Sequence, residues 1–152
     1  MPAAQTLQQV VLAFALGALV GMERERTPEK KYAGLRTLSL LCGAGPVSVF
    51  ISDLSGSVLP VAIYLAMGAV FSLLVLYIRV EVEQESLGLT TSSSVFLMAL
   101  VGILVGYGEY FSAVAITLIG VFLLSEKQTF RKYMKMLEPD EISDAVGLGI
   151  LA

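Results

Sequence analysis

Three carboxylates stand near the ends of apolar runs in this sequence, and they are the residues best suited to attract a metal ion. Glu23 and Glu25 follow the first apolar run in LGALVGMERE, and Asp53 stands near the end of the second. Mg²⁺ keeps several of its waters and needs only one or two carboxylates, so no dedicated cage is required. We therefore take Glu23, Glu25 and Asp53 as candidate metal ligands.

An arginine at the head of the second apolar run, Arg36, is the expected partner of one of these acids. Thr27 and Pro28 are typical of the N-cap and first residue of a helix, which would place Arg36 more than two turns inside it. An arginine near membrane depth costs a few kcal/mol, so it should be paired and turned inward. The pattern predicts a buried or half-buried salt bridge from Arg36 to Glu23 or Glu25.

Other kinds of chemistry lack the residues that they need. The chain has no histidine and a single cysteine, Cys42, inside an apolar run, which excludes zinc sites, Cys/His catalysis and disulfide frameworks. No nucleophile and base form a visible pair, so we expect neither an enzyme nor a bound cofactor. The formal net charge is −3 without a basic tract, so no nucleic-acid partner is expected.

The composition is that of a membrane protein. Hydrophobic residue types make up 56% of the 152 residues, whereas a soluble domain has about 45–50%. A helix that crosses a bilayer needs about 20 mostly apolar residues, and short polar breaks separate candidate spans at residues 7–22, 34–54, 58–78, 87–107 and 110–124. We predict an all-α membrane protein, a bundle of about five transmembrane helices.

The basic residues predict the orientation of this bundle. If all five segments cross, every lysine and arginine falls in or beside the first loop, after the third span or after the fifth. The positive-inside rule then places the N-terminus outside and the C-terminus inside. Arg24 belongs to this inner group, and we also consider it with Arg36 for charge pairing; the alternative is a role in topology and solubility alone.

The segment after the fifth span predicts a different kind of helix. In EKQTFRKYMKMLEP, basic residues recur at four-residue spacing while aromatic and aliphatic residues fall on another face. This pattern is typical of a basic amphipathic helix that lies along the membrane interface. The alternative is that the fifth span continues as a solvated helical stalk.

Small residues mark the expected helix contacts. Gly17 and Gly21 form one GxxxG pair, and Gly102 and Gly106 form another. In lipid, close approach through small residues drives helices together. These glycines therefore predict packing faces, either within one bundle or between copies of the chain.

The middle of the second span contains helix-weakening residues in LCGAGPVS, namely Gly43, Gly45 and Pro46. Proline removes a backbone donor and glycine weakens a helix, so a kink or an unwound turn is expected. Irregular backbone at membrane depth is tolerated where it lines a polar pathway or is packed in protein. Both alternatives remain open from the sequence.

Two segments together resemble the MgtC/SapB family of bacterial and archaeal membrane proteins. These are LGALVGMERE, residues 16–25, and AGLRTLSLLCGA, residues 33–44. The five-span layout and GLTT at residues 88–91 extend the resemblance to about residue 135. The chain departs from the MgtC branch after the third span, where it lacks a Gly-Phe-Leu-Gly-Ala-Gly segment, and Ser92 stands where fused relatives often carry an acid. The positions that match the family motif are Gly21, Glu23, Arg24, Glu25, Gly34, Leu35, Arg36 and Thr37.

The resemblance implies a link to magnesium in the plasma membrane of a prokaryote. We expect a divalent-cation channel or transporter, with Mg²⁺ as its substrate or ligand and the carboxylates guiding the ion at the membrane mouths. The alternative is a non-transporting regulatory protein that acts through helix contacts with partner membrane proteins. Membrane lipid and a homo-oligomer, with a dimer favoured, are the other expected partners.

The resemblance also divides the chain. Residues 1–137 are expected to form an MgtC/SapB-like transmembrane domain. Residues 138–152 are expected to be a C-terminal tail, similar to the lead-in to the second membrane domain of longer fused relatives.

Overall fold

The protein is described by a computed structural model that covers residues 3–26, 33–83, 89–126, 129, 132–133 and 148–150. Within these residues the regular secondary structure is α-helical and contains no strand, so the predicted all-α fold is confirmed. The five main helices are α1 (Ala3–Arg26), α2 (Leu35–Ser55), α3 (Leu59–Glu83), α4 (Leu89–Gly106) and α5 (Tyr110–Ser125).

Three of these helices, α1, α2 and α3, are long and apolar enough to cross a membrane, whereas the apolar stretches of α4 and α5 are shorter. The first helix is longer than its apolar run suggested. α1 has 24 residues, which at 1.5 Å per residue corresponds to about 36 Å. The charged residues at its end therefore extend the helix rather than terminate it.

The start of α2 differs from the expectation. α2 begins at Leu35, and Gly34 before it has an extended backbone with φ −96° and ψ −164°. Arg36 therefore lies in the first turn of α2 and not two turns inside a longer helix. Thr27 and Pro28, the predicted N-cap and first helical residue, lie outside the described residues, but the helix that contains Arg36 does not continue back through Ala33 and Gly34.

The two central helices are α2 and α4. α2 packs against α1, α3 and α4, and α4 packs against each of the other four helices. α3 and α5 lie at the periphery and make no mutual contact within the described residues. The buried core between the helices is largely aliphatic: Ala13, Leu16, Val20, Leu38, Cys42, Val95, Met98, Val101, Val105 and Ala113.

Contacts between helix ends show that successive helices run in opposite directions. Near the end of α1, Arg24 contacts Thr91 at the start of α4, and Arg79 near the end of α3 contacts the same residue. We name this the arginine end of the bundle.

The opposite end of the bundle is held by Gln9. Its side chain, near the start of α1, bonds to the last residue of α4, Gly106, and to the first residue of α5, Tyr110. We name this the Gln9 end. Arg24, Arg26, Arg36 and Arg79 therefore all belong to the arginine end, and none of the described lysines or arginines of α1–α5 lies at the Gln9 end.

Two predictions concern residues that are mostly outside the described set. Of the segment 126–139 that was expected to form the basic amphipathic helix, only residues 126, 129 and 132–133 are described. Of the expected tail, only residues 148–150 are described, and they are helical. Both expectations, and the division at residue 137, stay predictions.

Candidate functional site

Glu25 connects the end of α1 to the beginning of α2. Its Oε1 accepts a hydrogen bond of 3.0 Å from the backbone N–H of Leu35, the first residue of α2. The first turn of a helix has N–H groups without helical partners and a partial positive charge. The Glu25 carboxylate therefore caps α2 from the preceding helix, at the residue where α2 begins.

The glycine before α2 gives this carboxylate its space. A Cβ atom at Gly34 would lie 2.7 Å from Glu25 Oε1, closer than a side chain can be accommodated without movement. Gly34 and Glu25, both in the motif noted in the sequence, thus act together in one hairpin. The motif has a structural role that its sequence did not reveal.

Glu23 lies on the same last turns of α1 and has a different partner. Its Oε2 is 3.6 Å from Nη1 of Arg26, three residues later, and its side chain is 16% exposed. Arg26 is 81% exposed. The two side chains thus form a local ion pair at the arginine end. The Glu23 carboxylate in this pair is one that we considered for metal binding.

Arg36 does not have the predicted position. Its side chain is exposed in the first turn of α2, and the structure records no ion pair for it within the described residues. The predicted salt bridge to Glu23 or Glu25 depended on a helix that starts earlier. Because α2 starts at Leu35, the Arg36 side chain lies at the surface of the arginine end.

Asp53 lies at the other end of α2. It is exposed and lies 18 residues after Leu35, which corresponds to about 27 Å along the helix. Glu23, Glu25 and Asp53 are therefore distributed between the two ends of the bundle and do not share a site. Among the described residues, no group of three or more His, Cys, Asp or Glu side chains could hold a metal ion.

The paired glycines lie where α1, α2 and α4 cross. A Cβ atom at Gly17 would lie 2.5 Å from the carbonyl oxygen of Leu38, and one at Gly21 would lie 2.5 Å from Cα of Leu35. A Cβ at Gly102 would overlap the carbonyl oxygen of Cys42. At these crossings the backbones approach so closely that a methyl group does not fit.

The segment with Gly43, Gly45 and Pro46 belongs to the same contact. α2 is a continuous helix through Pro46 and is not unwound. A Cβ at Gly45 would overlap the backbone of Gly102, and one at Gly43 would overlap the ring of Phe14. All three α2 residues are buried, and Gly43 and Gly45 lie at helix crossings.

Proline has a specific consequence at this crossing. Pro46 has no N–H, so the carbonyl of Cys42, four residues earlier, lacks its usual helical donor. Gly102 packs directly on that carbonyl. One residue earlier, the carbonyl of Leu41 accepts a 2.6 Å hydrogen bond from Tyr64 Oη of α3. The weakened part of α2 is therefore covered by α4 and α3.

The arginine end contains a buried polar cluster that the sequence analysis missed. Arg79 is only 5% exposed, and its Nη1 donates a 3.0 Å hydrogen bond to Oγ1 of Thr91. Nη1 of Arg24 lies 3.5 Å from the carbonyl oxygen of the same threonine. Ser72 Oγ donates a 2.6 Å hydrogen bond to the carbonyl of Ser92. We name Arg24, Arg79, Thr91 and Ser92 the arginine cluster.

The burial of Arg79 is visible only in the structure, because nearly every residue of α3 before it is apolar and no one face stands out in the sequence. Buried residues of α3 recur at helical spacing on one face, and Arg79 continues that face. In the sequence analysis Arg79 served only as one of the basic residues that predict the membrane orientation. The buried positions of this face are Val61, Tyr64, Gly68, Val75 and Arg79.

The Gln9 end has one buried amide that was also missed. Gln9 is 2% exposed, and its Nε2 donates 3.2 Å hydrogen bonds to the Gly106 carbonyl and to Tyr110 Oη. A single side chain thus joins α1, α4 and α5. An amide inside an apolar run is the signal that predicts such a contact, since polar side chains hydrogen-bond between helices in membranes.

The sequence matches the MgtC family over residues 10–133. The chain belongs to the MgtC family. It is similar to Protein MgtC of Brucella abortus (strain 2308), Brucella suis biovar 1 (strain 1330) and Brucella melitensis biotype 1, with 31% identity over 138 residues in each case. The aligned region covers 90% of this chain and 56% of each relative, so the chain spans little more than half the length of these proteins. No solved structure matches the sequence.

Proposed function

We propose that this chain serves magnesium transport as an accessory or regulatory membrane protein, and that one copy of it is not an ion pore. The observation that carries the proposal is the contact between α2 and α4, where Gly45 packs on Gly102 and Gly102 packs on the Cys42 carbonyl. Such a contact leaves no room for a side chain between α2 and α4 at this crossing. The link to magnesium comes from the family.

The carboxylates support the same proposal. Glu25 caps α2 and Glu23 pairs with Arg26, so both acids are used in holding the hairpin. A transported Mg²⁺ would have to displace these contacts and exchange some of its water for protein oxygen. These acids are better suited to stabilise the arginine end than to conduct an ion.

A second candidate function is a Mg²⁺ channel or transporter formed between copies of the chain. It is favoured by the presence of carboxylates at both ends, with Glu23 and Glu25 at the arginine end and exposed Asp53 at the other. In that assembly the acids would attract the ion at the two mouths of a route outside the closed bundle. The route would require contacts between chains.

Magnesium flux into liposomes tests the proposal. The purified protein is reconstituted around a fluorescent Mg²⁺ reporter, with an added ionophore as the positive control. We expect no flux above that of empty liposomes, together with altered Mg²⁺ uptake by cells that express the chain. Unchanged uptake by those cells would contradict the accessory role.

Variants separate the two candidate functions. Flux by the wild-type protein that falls in Glu23→Gln or Glu25→Gln, and persists in Glu81→Gln, would support the transporter and contradict our first proposal. Glu81 is a matched control for Glu25 because it is likewise an exposed glutamate near the arginine end, at the end of α3. Flux that falls in Asp53→Asn but in neither glutamate variant would place the ion route at the Gln9 end.

A further inference from the structure

We propose that the outer surface of the bundle fits a thin hydrocarbon layer, about 25 Å across, so that lipids with short acyl chains are its preferred partner. An average bilayer has a hydrocarbon core of about 30 Å. This inference concerns the lipid that surrounds the chain, and it does not depend on whether the chain serves magnesium transport.

The first observation is the length of α5 between its flanking charges. α5 has 16 residues, Tyr110–Ser125, which corresponds to about 24 Å at 1.5 Å per residue. Glutamates stand directly on both sides, since Glu109 is the N-cap residue and Glu126 the C-cap residue. Charged side chains are costly inside a hydrocarbon layer. The two glutamates therefore limit the thickness that this side of the bundle fits.

The second observation is a similar length on a different side of the bundle. Within the described residues α2 makes no contact with α5. Along α2 the exposed residues Arg36 and Asp53 are 17 residues apart, which corresponds to about 25 Å. The exposed residues between these two charges are all apolar: Leu40, Ala44, Val47 and Ile51. Two separate sides of the bundle thus have apolar surfaces of nearly equal length.

The third observation comes from two tyrosines at opposite ends of the bundle. Gly68 of α3 faces Ala99 of α4, where a Cβ on the glycine would lie 3.0 Å from the alanine Cβ. Tyr77 lies nine residues beyond Gly68 toward the arginine end, and Tyr107 lies eight residues beyond Ala99 toward the Gln9 end. The two steps together again correspond to about 25 Å. Both tyrosines are more than half exposed, as is typical of side chains at the membrane–water interface.

Lipid is the occupant that fits these surfaces best. Tilting the bundle shortens its projection across the membrane, so about 25 Å is the upper limit of the matching thickness. A short span is otherwise accommodated by thinning of the bilayer, by snorkelling of flanking side chains or by association of copies. Among the four charges that limit α2 and α5, only Arg36 has a side chain long enough to snorkel. One contact between copies covers one side of the bundle, whereas short-chain lipid fits both.

Thermal unfolding in bilayers of graded thickness tests this inference. The full chain is reconstituted into small vesicles of phosphatidylcholines that differ only in acyl-chain length, with hydrocarbon thicknesses from below about 25 Å to above about 30 Å. Unfolding is followed by circular dichroism. We expect the highest midpoint temperature at about 25 Å and a midpoint about 5 °C lower at about 30 Å, because each ångström of mismatch has a modest free-energy cost. An unchanged midpoint, or a maximum at about 30 Å or above, would overturn the proposal.

Asp53 offers a variant and its matched control at one position. Asp53→Leu removes the charge that limits α2 at the Gln9 end and lengthens the apolar surface there. The loss of midpoint temperature in the thicker vesicles should therefore be smaller than in the wild type, although α5 keeps its own limits. Asp53→Asn removes the same charge but keeps a polar side chain, and its loss should equal that of the wild type. Asp53 is exposed, so we expect both variants to fold. Equal losses in the two variants would contradict the proposal.

A second copy of the chain is the competing occupant. Chemical cross-linking in the same vesicles measures the fraction of dimer at each thickness. We expect this fraction to be the same across the series. A dimer fraction that rises in the thicker vesicles while the midpoint stays constant would assign the short surfaces to a second copy, and the lipid proposal would be wrong.

Discussion

The Glu25 carboxylate shows how a motif residue can serve the fold. The sequence identified Glu25 as a functional acid beside an apolar run. Its role depends on a hydrogen bond to Leu35, ten residues later, and on the space that Gly34 leaves. Neither the hydrogen bond nor the space beside Gly34 can be predicted from the spacing of residues along the sequence, because both depend on how the chain turns between the helices.

We predict that removing this cap lowers stability. Glu25→Ala should reduce the free energy of unfolding by about 1 kcal/mol, the usual cost of losing a helix cap. Glu25→Gln should cost less, because the amide oxygen can still accept the Leu35 N–H. Thermal unfolding in detergent, followed by circular dichroism, measures both. Equal stability of wild type and Glu25→Ala would show that the cap does not contribute.

We also predict that Arg36 is independent of the two acids. Since its side chain is exposed, Arg36→Ala should change the free energy of unfolding by less than about 0.5 kcal/mol. In a double-mutant cycle with Glu23→Gln, the effects should add. A coupling energy above about 1 kcal/mol would show that Arg36 and Glu23 interact, as the salt bridge predicted from the sequence requires.

The helices themselves were the most predictable elements. Lengths and apolar composition predicted all five, and α4 and α5 end within two residues of their expected limits. α2 also lies within one residue of its expected span at both ends, whereas α1 and α3 extend beyond theirs because charged residues continue each helix at its C-terminal end. The glycines of the motif pairs were recognised as packing residues, but their partners on other helices required the structure.

The contact of α2 with α4 predicts a strong effect of one methyl group. Gly102→Ala should destabilise the protein by about 3 kcal/mol, because the new Cβ overlaps the Cys42 carbonyl and two backbones must separate. Gly120→Ala in α5 is the control, since its Cβ would meet only Leu97 Cδ2 at 3.6 Å, an ordinary contact. That variant should be neutral or gain up to about 1 kcal/mol from helix propensity. Similar unfolding temperatures for the two variants would contradict the close contact.

At the scale of the whole molecule, the bundle has two chemically different ends. The described arginines of the helices lie at one end, as the sorting of charges predicted for alternating spans. Which end faces the cytoplasm follows from the positive-inside rule and stays a prediction. The buried positions of Arg79 and Gln9 could not be predicted from charge sorting, because burial depends on which helix face packs inward.

Cysteine labelling tests the orientation. In a Cys42→Ala background, Ser55→Cys and Glu109→Cys should react with a membrane-impermeant maleimide added outside intact cells, and Arg36→Cys should react only after permeabilisation. All three positions are exposed, and none has the positive φ found at Gly56 and Gly108. Labelling of Arg36→Cys in intact cells would reverse the proposed orientation.

The native cysteine offers the most direct measurement of the closed bundle. Cys42 is the only cysteine in the chain, it is fully buried, and it lies at the contact of α2 with Gly17 of α1 and Gly102 of α4. We predict that a water-soluble thiol reagent labels Cys42 in the folded, membrane-embedded protein only after denaturation, whereas an added Ser55→Cys reacts at once. Rapid labelling of Cys42 in the folded wild-type protein would show a water-filled route through the bundle and contradict the account.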